Sequence, residues 1–271
     1  MSPDPYLHGH SDAVMKSHAW RTVANSAPHL IPHLTTDRSL LDVGCGPGTI
    51  TIDLARRVAP APVVGFDVSA AVIERAETLL AAPEAPENCR FRVDDLYAIS
   101  SDDDAWAIVH AHQVLQHLTD PIGALRELYR VLEPGGILAV RDADYGAMTW
   151  SPENRQLGRW MDIYRRLAAE QGSRPDAGRH LRGWVMEAGF VEVEVDVDVW
   201  TFATPEDRAW WGDLWADRVE HSSYAVHAID HGFATRSVLR EIAEGWRRWA
   251  DDRAGFFACP NTQVIARKPF T

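Results

Sequence analysis

Three glycines at alternate positions, Gly44, Gly46 and Gly48, follow directly on the apolar run Leu40-Leu41-Asp42-Val43. They precede Thr49 to Val58, where Ile50, Leu54 and Val58 recur at helical spacing. A strand must therefore turn into a helix within a few residues. Glycine has no Cβ and tolerates positive φ, so the main chain there can bend sharply and lie against a ligand, with a helix N-terminus beside it. Alone, such a loop is equally consistent with an ordinary Gly-rich turn. The next apolar run is informative, because Val63-Val64-Gly65-Phe66-Asp67 reads as a second strand ending in an acid about 20 residues past the glycines. A carboxylate placed there can accept both ribose hydroxyls, so the spacing points to a nucleoside.

The chain has 271 residues, 46% of them hydrophobic, enough for a full core and for one domain with a sizeable insertion. Its formal charge of −12, with no Lys/Arg cluster, argues against nucleic acid as a partner. Cys45, Cys89 and Cys259 are odd in number and far apart, which fits a reducing cytoplasm better than a disulfide framework or a CxxC metal site. The start is polar and no apolar run approaches the ~20 residues of a membrane span, so the expectation is a cytoplasmic protein without a membrane partner. His110, His112 and His117 lack a fourth ligand at matching spacing, and no metal is expected.

A helix is expected from Ser11 until Pro28 interrupts it, with a shorter helical piece over His29 to Leu34. Folded across the glycine loop as a lid, this segment would offer Arg21 to a ligand carboxylate; a solvated Arg on a packed helix is the alternative. Cys89 to Val93 is a third strand ending at Asp94-Asp95-Leu96, where an acid suits an adenine amino group. Ala105 to Val109 is a fourth, nearly all apolar as doubly covered parallel strands are, and Ile137 to Val140 is a fifth. Helices fall between them, one opened by Asp120-Pro121. This alternation predicts a doubly wound, mostly parallel α/β sheet with helices on both faces and ligands at the carboxyl ends of the strands.

The runs Leu41-Asp42-Val43-Gly44-Cys45-Gly46-Pro47-Gly48, Phe66-Asp67-Val68-Ser69, Val93-Asp94-Asp95-Leu96, Val114-Leu115-Gln116-His117-Leu118 and Glu127 to Gly136, in this order and spacing, resemble a class I S-adenosylmethionine-dependent methyltransferase. The likeness covers about Leu40 to Val140 and is closest to the branch that includes ubiquinone and menaquinone biosynthesis enzymes. It implies a seven-stranded sheet ending in an antiparallel hairpin, and S-adenosyl-L-methionine as the cofactor. By the same resemblance the loop and its flanks, Asp42, Gly44, Cys45, Gly46, Gly48 and Thr49, hold the methionine part. Asp67 and Val68 lie at the ribose, and Asp95 with Leu96 at the adenine. Asp94 stands where the family usually has glycine, so either acid could reach the adenine. His112 and Gln113 fall where the fourth strand closes over the methionine moiety. The alternating glycines differ from the GxGxxG spacing of a dehydrogenase.

The hairpin strands are expected at Phe190 to Phe202, where five valines alternate with acids as on a strand with one buried and one wet face, and at Thr262 to Arg267. Two segments exceed this scaffold: Asp142 to Gln171, and a helical excursion over Thr204 to Ala250 that opens with a Thr cap and Pro205. Most of the 11 tryptophans fall in them. The expected organisation is one domain in three stretches. Residues 1–36 form lid helices, 37–145 a Rossmann-like cofactor core, and 146–271 complete the sheet and carry a helical substrate cap at about 204–250. Tyr6, Tyr145, Trp150, Trp160, Trp200, Trp211 and Trp215 are the expected substrate contacts, against a reading in which these aromatics simply form the core of an extra helical layer or a homodimer interface. A sulfonium methyl is already activated, so the protein mainly aligns the reactants and excludes water. Where the acceptor needs a base, His117 and His112 are best placed, with Tyr145 to orient it. Two functions follow: methyl transfer to O, N or C of a largely apolar or aromatic small molecule, or a protein that binds the cofactor without methylating, as a cyclase or a binding module.

Overall fold

A computed structural model of the chain describes residues 20–270. Tyr6 and most of the expected first helix lie outside the described residues. Within them that helix contributes only α1, Val23–Ser26, whose Thr22 cap accepts from the Asn25 N–H, followed by a 3-10 turn over Pro28–His33.

Strand β1, Leu40–Val43, is buried at every position because parallel strands flank it on both sides: β2, Val63–Asp67, and β4, Trp106–His112. Beyond β2 lies β3, Cys89–Val93, and beyond β4 lies β5, Leu132–Ala143. Strand β8, Phe256–Arg267, returns antiparallel along β5. It pairs over the same length with β7, Val191–Phe202, the expected hairpin partner, and at its start with the short β6, Thr149–Ser151. The sheet has eight strands, because β6 adds to the seven expected.

Helices cover both faces. Leu54, Ala55, Ile73 and Ala76 from α2, Thr49–Val58, and α3, Ala70–Thr78, pack in one apolar cluster. Leu125, Leu128, Leu181 and Val185 from α4, Pro121–Val131, and α6, Leu181–Glu187, pack in another. A third cluster belongs to α5, Arg155–Glu170, and to α7, α8 and α9, which span Pro205–His221, Ser223–Asp230 and Arg236–Asp251. Thr204 caps α7 as expected, its hydroxyl accepting from the Asp207 N–H at 3.1 Å. These helices sit over the far ends of β7 and β8, and their core is aromatic: Trp160, Trp215, Trp246 and Trp249 are fully buried.

The valine stripe of β7 is not buried as the alternation suggested. Val195, Val197 and Val199 are 43–53% exposed, because α6 is only two turns long and covers no more than the start of the strand. The acids face the opposite side of the sheet, where they have partners: Asp196 accepts from Gln263 Nε2 at 3.1 Å and Asp198 from the buried Arg141 at 2.8 Å.

Candidate active site

The carboxyl ends of β1, β2, β3 and β4 open into one cavity of about 520 Å³, roofed by β7 and α7. Gly44, at φ +61°, begins the loop after β1. A Cβ there would lie 2.6 Å from Val114 Cγ2, so only glycine lets the loop pass beneath the turn that follows β4. Gly46, at φ +55°, donates its N–H to Asp67 Oδ2 at 3.2 Å, while Oδ1 of Asp67 accepts from the Ser69 N–H at 3.0 Å. The acid at the tip of β2 is thus tied to the glycine loop. Gly48 does not reach the cavity wall. Its left-handed φ of +84° and the 2.6 Å that would separate a Cβ from Phe91 Cζ place it against β3 as a packing glycine.

Asp42 touches the cavity, but its carboxylate is already engaged. It is 2% exposed and accepts from Thr51 Oγ1 at 2.5 Å, with its other oxygen 2.7 Å from His110 Nδ1. Its work is to brace β1, α2 and β4. The adjacent acids after β3 divide in the same manner. Asp94 accepts from Arg92, from the hydroxyl and N–H of Ser100 and from the Asp95 N–H. Asp95 is exposed, and its carboxylate accepts from the Tyr97 N–H at 2.9 Å. Cys45, Thr49, Val68 and Leu96 also line the cavity. Burial, with Asp42 and Asp67 nearby, pushes the Cys45 thiol well up, so it is no thiolate.

At the end of β4 the chain makes a strained turn. Gln113 adopts φ +54°, uncommon for a residue with a side chain. Arg21 donates to Gln113 Oε1 at 2.6 Å, and Gln113 Nε2 donates to Asn261 Oδ1 at 3.1 Å, so the segment leading into α1, the turn after β4 and strand β8 are joined across the site. His112 is 6% exposed and neither of its ring nitrogens has a hydrogen-bond partner among the described residues. Burial first, then the charges of Arg21 and Arg141, hold its pKa well below the usual value. His117 lies on the 3-10 turn Leu115–His117, which hangs from the Asp142 carboxylate through the Gln116 N–H at 3.1 Å. Burial and Arg21 lower the His117 pKa to about 3, and burial raises that of Asp142 to about 7. Both cavity histidines are neutral at pH 7 and weak bases.

The roof is aromatic. Tyr145, Trp200, Trp211 and Trp215 line it, joined by Trp20, Met148 and Trp210, which the sequence reading did not single out. Trp150 and Trp160 do not reach it. Trp160 sits in the cap core, 4.5 Å from Trp215 and 5.0 Å from Trp246 between ring centroids, and Trp150 stacks on Phe257 at 5.9 Å. Gln116 and Arg218 were also missed. The signal for Arg218 was available, since it follows Trp211 and Trp215 by seven and three residues on a helix, the spacing that shares a face. Among the described residues, no group of three or more His, Cys, Asp or Glu side chains converges as a metal would require, and no helix is long and apolar enough to cross a membrane.

Comparison with known proteins agrees with this geometry. Residues 34–189 match a family model described as a methyltransferase domain. An uncharacterized methyltransferase of Schizosaccharomyces pombe is 33% identical over 97% of this chain and 96% of its own. The 2-methyl-6-phytyl-1,4-hydroquinone methyltransferase of a Synechocystis strain is 32% identical over 76% of this chain and 60% of its own. Among solved structures, a Haemonchus contortus phosphoethanolamine N-methyltransferase in complex with phosphomonomethylethanolamine and S-adenosylhomocysteine superposes with a TM-score of 0.53. It is 18% identical and the match covers 87% of this chain and 50% of that one, so it speaks to the fold alone.

Proposed function

Because the chain belongs to the class I S-adenosylmethionine-dependent methyltransferases, we propose that it transfers the methyl group to an O, N or C atom of a largely apolar or aromatic small molecule held under the cap. The observation that carries this reading is the single cavity whose one side is the glycine loop with Asp67 and whose roof is Tyr145, Trp200, Trp211 and Trp215. The residues present suit S-adenosylmethionine. Gly44 and Gly46 turn bare main chain into the cavity, Asp67 and Asp95 offer carboxylate oxygens for ribose and adenine, and His112 presents buried nitrogens that have no partner among the described residues. When bound, the cofactor supplies an activated methyl group.

The chain's own part is then positioning and drying. The Arg21–Gln113–Asn261 link fixes the end of β4 beside the loop, and the aromatic roof excludes water and aligns the acceptor. His117 and His112, depressed by burial, serve better to accept or donate a hydrogen bond to the acceptor than to remove a firmly held proton, and Tyr145 orients its ring. The name of the Synechocystis relative, a hydroquinone methyltransferase, is in keeping with an apolar acceptor. We infer a single domain in which residues 37–145 hold the cofactor and the stretch from 146 onward completes the sheet and carries the cap.

Calorimetry with S-adenosylmethionine, followed by incubation of a library of small aromatic and prenylated acceptors with methyl-labelled cofactor, tests the proposal. Binding together with a labelled product supports it. Binding with no labelled product across the library would favour a protein that keeps the cofactor as structure.

A further inference from the structure

Residues 20–34, with α1 and the 3-10 turn Pro28–His33, lie along one face of the sheet and begin at the cavity wall, where Trp20 sets its ring 5.3 Å from those of Trp200 and Trp210. Apolar contact holds the segment down. Val23, Ala27 and Leu30 are fully buried in the cluster that contains Leu40, Ile108 and Ile265. The Val23 N–H donates to Asp53 at 2.9 Å, and Trp200 Nε1–H to the Asn25 carbonyl at 2.7 Å. Beneath the 3-10 turn, however, the sheet is polar. His112, Arg141 and Gln263 are successive register partners across β4, β5 and β8, and His110 lies two residues before His112. His29 comes down from the turn beside Gln263, with His110 and Arg141 close enough to act on its charge. Part of His29 meets solvent, yet both its ring nitrogens are buried without a partner among the described residues, as are His110 Nε2, Arg141 Nε and Nη1 and Gln263 Oε1. Docking therefore dehydrates His29 without giving it a hydrogen bond in return, a cost that the apolar contacts must offset.

The surroundings offer a charged His29 no support. Burial, then His110 of β4, Arg141 of β5 and His33 of its own turn all oppose a proton there, with Gln263 of β8 on the other side, and together they lower its pKa to about 3. The acids of this layer are already engaged, Asp42 with Thr51 and His110, Asp196 with Gln263, and Asp198 with Arg141. Exposed Thr35, Thr36 and Asp37 join the turn to β1, so the segment can swing out while the sheet stays intact. We propose that residues 20–34 form an acid-released lid, which leaves the sheet as His29 takes up a proton in water and carries Trp20 and Arg21 off the cavity wall. The closed form excludes that proton and the open form accepts it at the ordinary histidine pKa of 6.5, so falling pH draws the equilibrium open. Above pH 6.5 the lid stays shut. From these two pKa values His29 alone raises the open fraction by about tenfold between pH 7.5 and pH 5.5.

Native-state amide hydrogen exchange on the full chain at pH 7.5 and pH 5.5, corrected for the intrinsic rate at each pH, tests this. The reporters are the amides of Ser26, Ala27 and Leu30, which donate to the Thr22, Val23 and Ala27 carbonyls, and β1 is the reference. The expected result is that these amides are less protected than β1 at both pH values, so that the segment opens by itself, and that their protection falls by at least about tenfold on going to pH 5.5. In His29→Leu, and in His29→Gln as a second side chain that does not titrate, the fall should be smaller by about that same factor. Protection equal to that of β1 would mean that the segment opens only when the whole molecule unfolds, and overturns the proposal without recourse to any variant. So does a fall below about threefold in the native chain, or a fall in both variants as large as the native one.

Discussion

Replacing Gly44 by alanine puts a methyl group where the loop has no room for one. The residue sits at φ +61°, a region costing an L-residue about 1–2 kcal/mol. The new Cβ would lie 2.6 Å from Val114 Cγ2, with Cγ1 at 3.4 Å and Cβ at 3.6 Å, so the whole isopropyl group blocks it. Valine has one stiff χ1 and cannot swing a long arm aside, so either the loop or the turn after β4 must move, at about 1–3 kcal/mol for an overpacked site. The sum, about 2–5 kcal/mol, leaves a protein of ordinary stability folded but displaces the backbone on which the cofactor is to lie. Urea denaturation should therefore show the loss, and calorimetry with S-adenosylhomocysteine should show affinity weakened by about tenfold or more. Gly158→Ala is the control. It lies in α5 with nothing within 4 Å of the added methyl, and should stabilise by up to about 1 kcal/mol without touching affinity. Gly44→Ala with unchanged stability and unchanged affinity would refute the reasoning.

Asp67→Ala should cost about 1–3 kcal/mol of cofactor affinity by calorimetry, through lost charge-assisted hydrogen bonds. Asp94→Ala should lower thermal stability more than affinity, since its carboxylate holds Arg92 and Ser100, whereas Asp95→Ala should do the reverse. Acid should destabilise the protein. His29 and His117 have pKa values lowered to about 3 and His112 lies well below its usual value, so all three take up protons on unfolding between pH 4 and 6.5. Asp142, raised to about 7, opposes them by losing one over the same range. The net uptake of about two protons makes stability fall by roughly 2–3 kcal/mol per pH unit as pH drops through that window. Denaturation across pH 4.5–6.5 measures this, and Asp142→Asn should steepen the slope by about one further proton.

The cofactor half of the molecule was legible in the sequence because its constraints are local. Alternating glycines, an acid at the tip of β2 and nearly continuous apolar runs on β1, β4 and β5 each follow from a few adjacent residues. What the pattern could not show is which polar groups spend themselves on one another. Asp42 is taken by His110, 68 residues away, and Asp94 by Arg92 and Ser100, so a carboxylate in the right motif is not thereby a ligand contact. The cap was less legible still. Whether Trp160 or Trp211 faces the cavity depends on how α5, α7 and α9 pack, and tryptophan suits both settings. On β7 the alternation was present, but the face left open depended on the length of α6 and on Arg141 across the sheet.

Crystals grown with S-adenosylhomocysteine test the central claim most directly. The account predicts ribose hydroxyls on the Asp67 carboxylate, adenine beside Asp95 and Leu96, and the amino-acid end over the main chain of Gly44 to Gly46, leaving the space under Trp200, Trp211 and Trp215 open. Density for the nucleoside in the aromatic half of the cavity, or none at saturating concentration, would contradict it.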